Sequence, residues 1–267
     1  ISLDGKRFFY ENPLESLGSH HRQEWFGCAC CPTNIARLLA SLGTYAYSTD
    51  EDKVAMHLYI QGSVSAKIKG NNVDFKINTN YPWDGKVNIE VKTQNPVDFD
   101  LYLRIPGWCN NPKASIDCDS INIASNTQNG YLKVSRTWKS GDILVLDLPM
   151  APKFNYSHPA VRENAGCTAI TRGPLVYCFE EVDLNKKPHY ICINTSVEPN
   201  DSYDDNLLGG VVKVNAQADI LSEDGWDSKL YDTQPPTVTS EEVQAIPYYA
   251  WDNRESGAMR IWMRAKS

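Results

Sequence analysis

The sequence predicts a mainly β protein, with two β-rich segments preceded by a single short helix. Three observations carry that prediction. From about residue 50 the chain turns to short alternating apolar and polar runs broken by turn pairs. A second stretch of similar texture begins near residue 153. Ahead of both, around 32–42, apolar residues recur at helical spacing.

Residues 1–27 begin with Arg7-Phe8-Phe9-Tyr10, which reads as a short strand, followed by a turn at Asn12-Pro13. The stretch Cys28-Ala29-Cys30-Cys31-Pro32-Thr33-Asn34 comes next. After it, Ile35, Leu38, Leu39 and Leu42 fall at i, i+3, i+4 and i+7, one face of a helix over 32–42. Pro32 suits the first helical position because its missing N–H would be unpaired there anyway, and Gly43 supplies the stop. This register puts Cys31 at the N-cap and Cys30 just outside it. A lone helix of this length cannot bury its apolar stripe by itself. It needs helical neighbours that this sequence lacks, and the first residue is Ile1 rather than Met, so the expectation is the later part of a longer protein.

In the first β segment, Val87, Ile89 and Val91 alternate with Lys86, Asn88, Glu90 and Lys92. Val97, Phe99, Leu101 and Leu103 alternate with Asp98, Asp100, Tyr102 and Arg104. These are half-buried strands. Asn71-Asn72, Asp84-Gly85, Asn129-Gly130 and Ser140-Gly141 punctuate them, and Pro149 closes the run Leu144, Leu146, Leu148. Strands at this spacing suggest a β-sandwich. The second segment includes strands at 168–171, 175–180, 189–193 and 258–264. The polar stretch 194–245, with Pro199 and Pro235-Pro236, reads as loops with short strands, 211–214 among them.

At 267 residues the chain holds one large or two medium domains. A net charge of −7 with scattered Lys and Arg excludes a nucleic-acid footprint, and no stretch approaches a membrane span. Eight cysteines are too sparse for a disulfide scaffold, and Cys109, Cys118, Cys167, Cys178 and Cys192 read as single buried thiols.

The cluster is different: three thiols in four residues beside a helix start. The N–H groups and positive dipole end there favour thiolate over thiol, giving a soft site for zinc and a candidate nucleophile. The competing reading is a structural zinc knuckle or packed thiols. Vicinal Cys30 and Cys31 are a poor disulfide pair, and the spacing is not the C-x-x-C of a zinc ribbon or a thioredoxin-like redox motif. A zinc site here still needs at least one ligand from elsewhere.

Several motifs together are similar to glycoside hydrolase family 127, whose best-known activity is β-L-arabinofuranosidase. They are Asn12-Pro13-Leu14-Glu15-Ser16, Arg22 with Trp25-Phe26, and Cys28 through Arg37. Tyr81-Pro82-Trp83-Asp84-Gly85, Arg104 through Trp108, Trp138 through Asp142, Arg172 through Tyr177 and Ile246 through Arg254 continue the likeness along the chain. The resemblance implies the last strand and helix of a truncated (α/α)6 barrel over 1–48, then β-sandwich domains over 49–151 and 152–267. It makes Cys30 the nucleophile, and Cys30 with Cys31 zinc ligands. A glutamate and a cysteine completing the zinc site, and a glutamate acting as general acid/base, are expected upstream of Ile1. The amino-terminal barrel is thus an implied partner, an oligosaccharide or polysaccharide the implied substrate, and this chain alone is expected to be inactive. The alternative is a non-catalytic carbohydrate-binding or structural β-sandwich module.

Among other residues, Tyr10 and Asn12 are candidates to line a sugar pocket, against a core aromatic and a turn-forming amide. Cys28 reads as support for the turn. Glu15 and Arg22 read as an internal pair or a backbone contact, and His20-His21 as a polar loop. Trp83, Trp108 and Trp138 read as architecture. Tyr248, Tyr249 and Trp251 lie on a loop that could reach back to the barrel.

Overall fold

The computed structural model describes residues 1–266, and its elements are mainly strands. The chain divides into two compact units, one made of residues 1–28 with the chain from Ala151 on, the other of Ala29–Met150. Residues 1–28 thus side with the carboxy-terminal β segment, a grouping across more than 120 positions that local sequence patterns do not encode.

In the Ala29–Met150 unit, one sheet runs Thr127–Gln128, Tyr131–Trp138, Val97–Arg104, Lys53–Met56, Tyr47–Thr49. The other runs Gly62–Ile68, Asn71–Thr79, Lys86–Thr93, Ile143–Asp147, Lys113–Ile116, Asp119–Ser120. Alternation aims Val87, Ile89 and Val91 of one sheet and Phe99, Leu101 and Leu103 of the other into a single core. Each fully buried side chain of this size contributes roughly 1.5–3 kcal/mol. Trp138 is fully buried, stacks on Phe99 at 5.5 Å between centroids, and donates its Nε1–H to the Phe99 carbonyl at 3.1 Å. At the Ser140-Gly141 turn, Gly141 takes φ +93° and the buried Asp142 accepts the Lys139 N–H at 3.0 Å.

The helix begins earlier than the periodicity predicts. α1 spans Cys30–Ser41, with Ala29 rather than Cys31 at the N-cap, so both cysteines lie in the first turn and Pro32 is the third helical residue. Proline is tolerated there because the leading N–H groups of a helix have no intrahelical acceptor. Gly43 does not stop the chain in a left-handed cap. Leu42 stays right-handed at φ −57°, and Gly43 opens a one-turn helix, α2, over Gly43–Ala46. None of α1 is buried: Ile35 is 52% exposed, Leu38 49% and Leu39 64%.

In the other unit nine strands of the described residues follow one hydrogen-bonded path, Glu15–Ser16, Met259–Arg260, Leu175–Glu180, Val238–Pro247, Val211–Leu221, Ile191–Asn194, Met263–Lys266, Cys167–Arg172, Pro152–Asn155, and a tenth, Asn200–Asp204, pairs with Val211–Leu221 off it. Cys167–Arg172 changes partners along its length. Its first residues pair with Met263–Lys266 and its last with Leu175–Glu180. The interior holds Tyr177, Phe179, Ile191, Ile193, Val214 and Met263.

Three local expectations are corrected here. The strands within 194–245 are longer than expected: the one placed at 211–214 extends over Val211–Leu221, and Val238–Pro247 is a second long strand paired with it. Their buried positions include Val214, Ala216, Ala218 and Ala245, and small alanines between polar neighbours mask the alternation. Arg7–Tyr10 is not a strand. Only Phe8 makes a bridge, to Gln23, and the paired residues are Glu15–Ser16 against Met259–Arg260. Of the five scattered cysteines expected to be buried, Cys109 and Cys178 are, Cys167 and Cys192 are half-buried, and Cys118 is instead exposed because it sits in a surface turn, at φ +77°.

Candidate functional site

The first turn of α1 carries Cys30, exposed, and Cys31, half-buried, with their Sγ atoms 3.9 Å apart. Side chains one turn on tie this turn down. Thr33 Oγ1 donates to the carbonyls of Ala29 at 3.1 Å and Cys30 at 3.0 Å, and Asn34 Nδ2 donates to the Cys30 carbonyl at 2.8 Å. Arg37 in turn donates to Asn34 Oδ1. The sequence Cys-Pro-Thr-Asn therefore builds a rigid platform under adjacent sulfurs.

That spacing suits zinc. Thiolates at the zinc–sulfur bond length of about 2.3 Å stand about 3.8 Å apart along a tetrahedral edge. Two sulfurs do not fill a tetrahedral site, and among the described residues no group of three or more His, Cys, Asp or Glu side chains stands together to hold a metal. Cys28 is exposed and sides with the other unit.

Tyr10 and Asn12 also belong to that other unit. Tyr10 is half-buried with its ring 5.4 Å from that of Phe26, and Asn12 is exposed. There the structure assembles a polar centre from Arg22, His20, His21, Tyr249 and Trp251, which the sequence singles out separately, and from carboxylates that it does not. Arg22 is buried, with its guanidinium 4.2 Å from the centroid of the Phe9 ring. It donates to the carbonyls of Trp251 and of Tyr249, the latter at 3.0 Å, so it is a backbone contact and not a partner of Glu15. Burial pulls the Arg22 pKa down against the opposing pull of Asp252 and Glu180. Glu15 pairs with Arg260 at 3.6 Å. His20 stacks on Phe9, and Phe9 stacks on the buried Trp251 at 4.7 Å. His21 Nδ1 meets Asp252 Oδ1 at 2.7 Å.

Behind this layer Arg254 binds Asp183 through two nitrogens, at 2.7 and 2.5 Å, and Glu180 at 2.5 Å. Burial is the largest single influence on the Arg254 pKa and pulls it down, but the two carboxylates together outweigh it and hold it up. A polar cavity of about 430 Å³ opens here, lined by Arg7, His21, Arg22, Asp252, Asn253 and Arg254 among others; neither Tyr10 nor Asn12 lines it. Sequence reasoning misses Asp252, Arg254, Glu180 and Asp183 as site residues. The available signal is the polar tripeptide Asp252-Asn253-Arg254, with one acid and one base, after apolar Tyr248–Trp251, matched by acids after the apolar strand ending at Glu180. Of the tryptophans, Trp138 is buried and Trp83 is 53% exposed.

Comparison with known families covers nearly the whole chain. Residues 1–44 match the β-L-arabinofuranosidase GH127 catalytic domain, 53–150 the GH127 middle domain and 152–264 the glycoside hydrolase family 127 C-terminal domain. The chain belongs to glycoside hydrolase family 127. A non-reducing end β-L-arabinofuranosidase of Bifidobacterium longum subsp. longum is 34% identical over 99% of this chain and 43% of its own length. A GH127 β-L-arabinofuranosidase crystal structure from Geobacillus stearothermophilus T6 superposes with a TM-score of 0.93 at 39% identity, covering 100% of this chain and 44% of that one. A second family 127 structure, a β-arabinofuranosidase, gives 0.88 at 32% identity, covering 100% and 43%. The chain therefore spans less than half the length of these family 127 relatives. Only residues 1–44 fall in the catalytic-domain model, and they include Cys30 and Cys31.

Proposed function

We propose that the whole protein is a retaining glycoside hydrolase acting on β-L-arabinofuranosides or related plant-polysaccharide sugars, with Cys30 as nucleophile. The observation that carries this reading is the 3.9 Å Cys30–Cys31 sulfur pair on the first turn of α1, in the part of the chain that matches the catalytic domain. Cys30 and Cys31 would hold a zinc ion with a glutamate and a cysteine from a part of the catalytic domain outside this chain. Zinc supplies a positive charge that keeps thiol ligands deprotonated and fixes their position.

The residues of this chain then have definite tasks. The Cys30 thiolate attacks the anomeric carbon as the glycosidic C–O bond breaks, and the leaving oxygen takes a proton from a general acid supplied by the rest of the barrel. Water, deprotonated by the same group acting as base, displaces the sulfur from the anomeric carbon and regenerates the thiolate. Thr33 and Asn34 hold the Cys30 turn, so the sulfur meets the sugar without reorganising. Tyr10 and Asn12 belong to this reading as residues that line the sugar site.

In the same reading residues 1–48 finish an (α/α)6 barrel and 49–151 form a β-sandwich from the two sheets around one core. The chain from 152 on is a second such domain, in which Cys167–Arg172 switches between sheets, as corner strands do. The exposed Ile35, Leu38 and Leu39 face of α1 is then the surface that the remainder of the barrel covers.

The test is hydrolysis of an aryl β-L-arabinofuranoside by the whole protein. Cys30→Ala abolishes turnover, Cys31→Ala lowers both turnover and bound zinc, and a cysteine-directed substrate mimic labels Cys30. Full turnover by Cys30→Ala, with zinc removal merely unfolding the protein, would leave the reading in which this chain is a non-catalytic module of the enzyme.

A further inference from the structure

The outer face of the five-stranded sheet carries a hollow that none of the chemistry above uses. Its volume is about 300 Å³, and Ala55, His57, Tyr102, Gln128, Asn129 and Tyr131 line it. That is the lower end of the range for small-ligand pockets, about 300–1,000 Å³.

Strand register explains the hollow. Ala55 lies opposite Tyr102 on the neighbouring parallel strand, and Gln128 lies opposite Tyr131. Tyr131 opposes Arg104, and Tyr102 opposes Lys133, so the two tyrosines are diagonal neighbours on one face. The sheet surface is low at Ala55 because that side chain is small, with Tyr102 rising from one neighbouring strand and Tyr131 from the strand beyond it, while the strand on the other side places Ser48 opposite Ala55.

The walls are fixed before any ligand arrives. His57 uses both ring nitrogens, one with Ser48 Oγ at 2.8 Å and the other with Tyr131 Oη at 2.7 Å, and it meets the Tyr131 ring edge-on at 5.6 Å. Asn129 holds the rim in a turn at φ +52°. Lys133, next along the strand, is paired to Asp100 at 2.9 Å.

The lining has a distinct chemistry. No carboxylate, ammonium or guanidinium is among its lining residues, and the nearby Lys133 ammonium, 6.0 Å from the Tyr102 ring centroid, is paired to Asp100, so neither a metal ion nor a strong anion finds a free charge partner in it. It does contain two aromatic faces and two exposed planar amides. Aromatic faces suit the C–H surfaces of a sugar ring, and an amide offers donors and an acceptor to hydroxyls that are both at once.

We propose that this hollow is a second carbohydrate-binding site, taking a neutral pentose unit of an oligosaccharide and holding the substrate chain away from the point of cleavage. The choice of a sugar ligand rests on the glycosidase reading, whereas the geometry of the hollow does not.

Titration calorimetry of the whole protein in the Cys30→Ala background, with a soluble arabino-oligosaccharide, tests it. Two binding events are expected, of which Ala55→Arg removes one or weakens it at least tenfold by filling the hollow from its floor. Should Ala55→Arg alter thermal unfolding, Gln128→Ala on the exposed rim serves instead and weakens the same event at least threefold. A single event, or two events that both variants leave within twofold, overturns the proposal. Hydrolysis by the wild type is measured separately. Its absence alongside intact binding at the hollow sinks the glycosidase reading and spares this one.

Discussion

His21 Nδ1 and Asp252 Oδ1 share a hydrogen bond of 2.7 Å across 231 positions of sequence, and the other oxygen of the same carboxylate accepts the Arg22 N–H at 3.0 Å. Asp252 itself is held by its own N–H, which donates to Glu180 Oε1 at 2.9 Å. One side chain thereby fastens the amino-terminal segment to the loop after Val238–Pro247. It does so with φ +57°, a conformation in which Asp and Asn are favoured.

Asp252→Ala removes both acceptor contacts and adds a poorly tolerated left-handed residue. A loss of about 2–4 kcal/mol is expected in chemical denaturation. Asp252→Asn keeps the conformation and one acceptor, and should cost no more than about half of that. Equal losses for the two variants would mean that charge alone fastens the segment.

Gly85 marks a contact between backbones. A Cβ at this position would lie 1.9 Å from the carbonyl oxygen of Leu148, and the Gly85 carbonyl accepts the Leu148 N–H at 3.0 Å. Gly85→Ala must push the two strands apart, so a loss of about 2 kcal/mol or more is expected. The check is denaturant unfolding followed by intrinsic tryptophan fluorescence, and an unchanged midpoint would refute the close approach.

Cys178 is fully buried, and that burial, with Glu180 and Asp183 adding to it, drives its pKa well above the usual thiol value. In the unfolded chain the thiol ionises near pH 8.5, while in the fold it stays protonated. Its stabilising contribution is therefore complete below about pH 8.5 and declines as pH rises toward the folded pKa, by up to about 1.4 kcal/mol per pH unit. Urea melts between pH 7 and 10 should show this decline, and Cys178→Ala should flatten it. Tyr177, also raised by burial, adds a further decline only above about pH 10.

Leu39 is 64% exposed on α1. In the 267-residue chain, Leu39→Ala should change stability by less than about 0.5 kcal/mol. In the whole protein the same substitution should cost about 2–5 kcal/mol, because the barrel would bury that face. Paired thermal melts compare the two, and equal shifts would mean that nothing covers the helix.

Much of the architecture is written in local pattern. Val87, Ile89 and Val91, or Phe99, Leu101 and Leu103, alternate with polar neighbours, and a period of two admits only one buried face. The helical spacing of Ile35, Leu38, Leu39 and Leu42 marks α1 in the same way, although its start lies at Cys30 because the first turn accepts proline at more than one position. Val211–Leu221 is hidden in the sequence because alanine fills its inner positions and carries little apolar signal.

By itself the sequence determined the β texture, the helix and the thiol cluster, since each depends on residues within a few positions of one another. Only the tertiary structure decided that Arg22 is buried against the carbonyls of Trp251 and Tyr249, that Asp252 reaches His21, and that Tyr102 and Tyr131 line one hollow with Ala55. Those contacts join residues tens to hundreds of positions apart. Strand register and chain crossing create them, and no local periodicity encodes either.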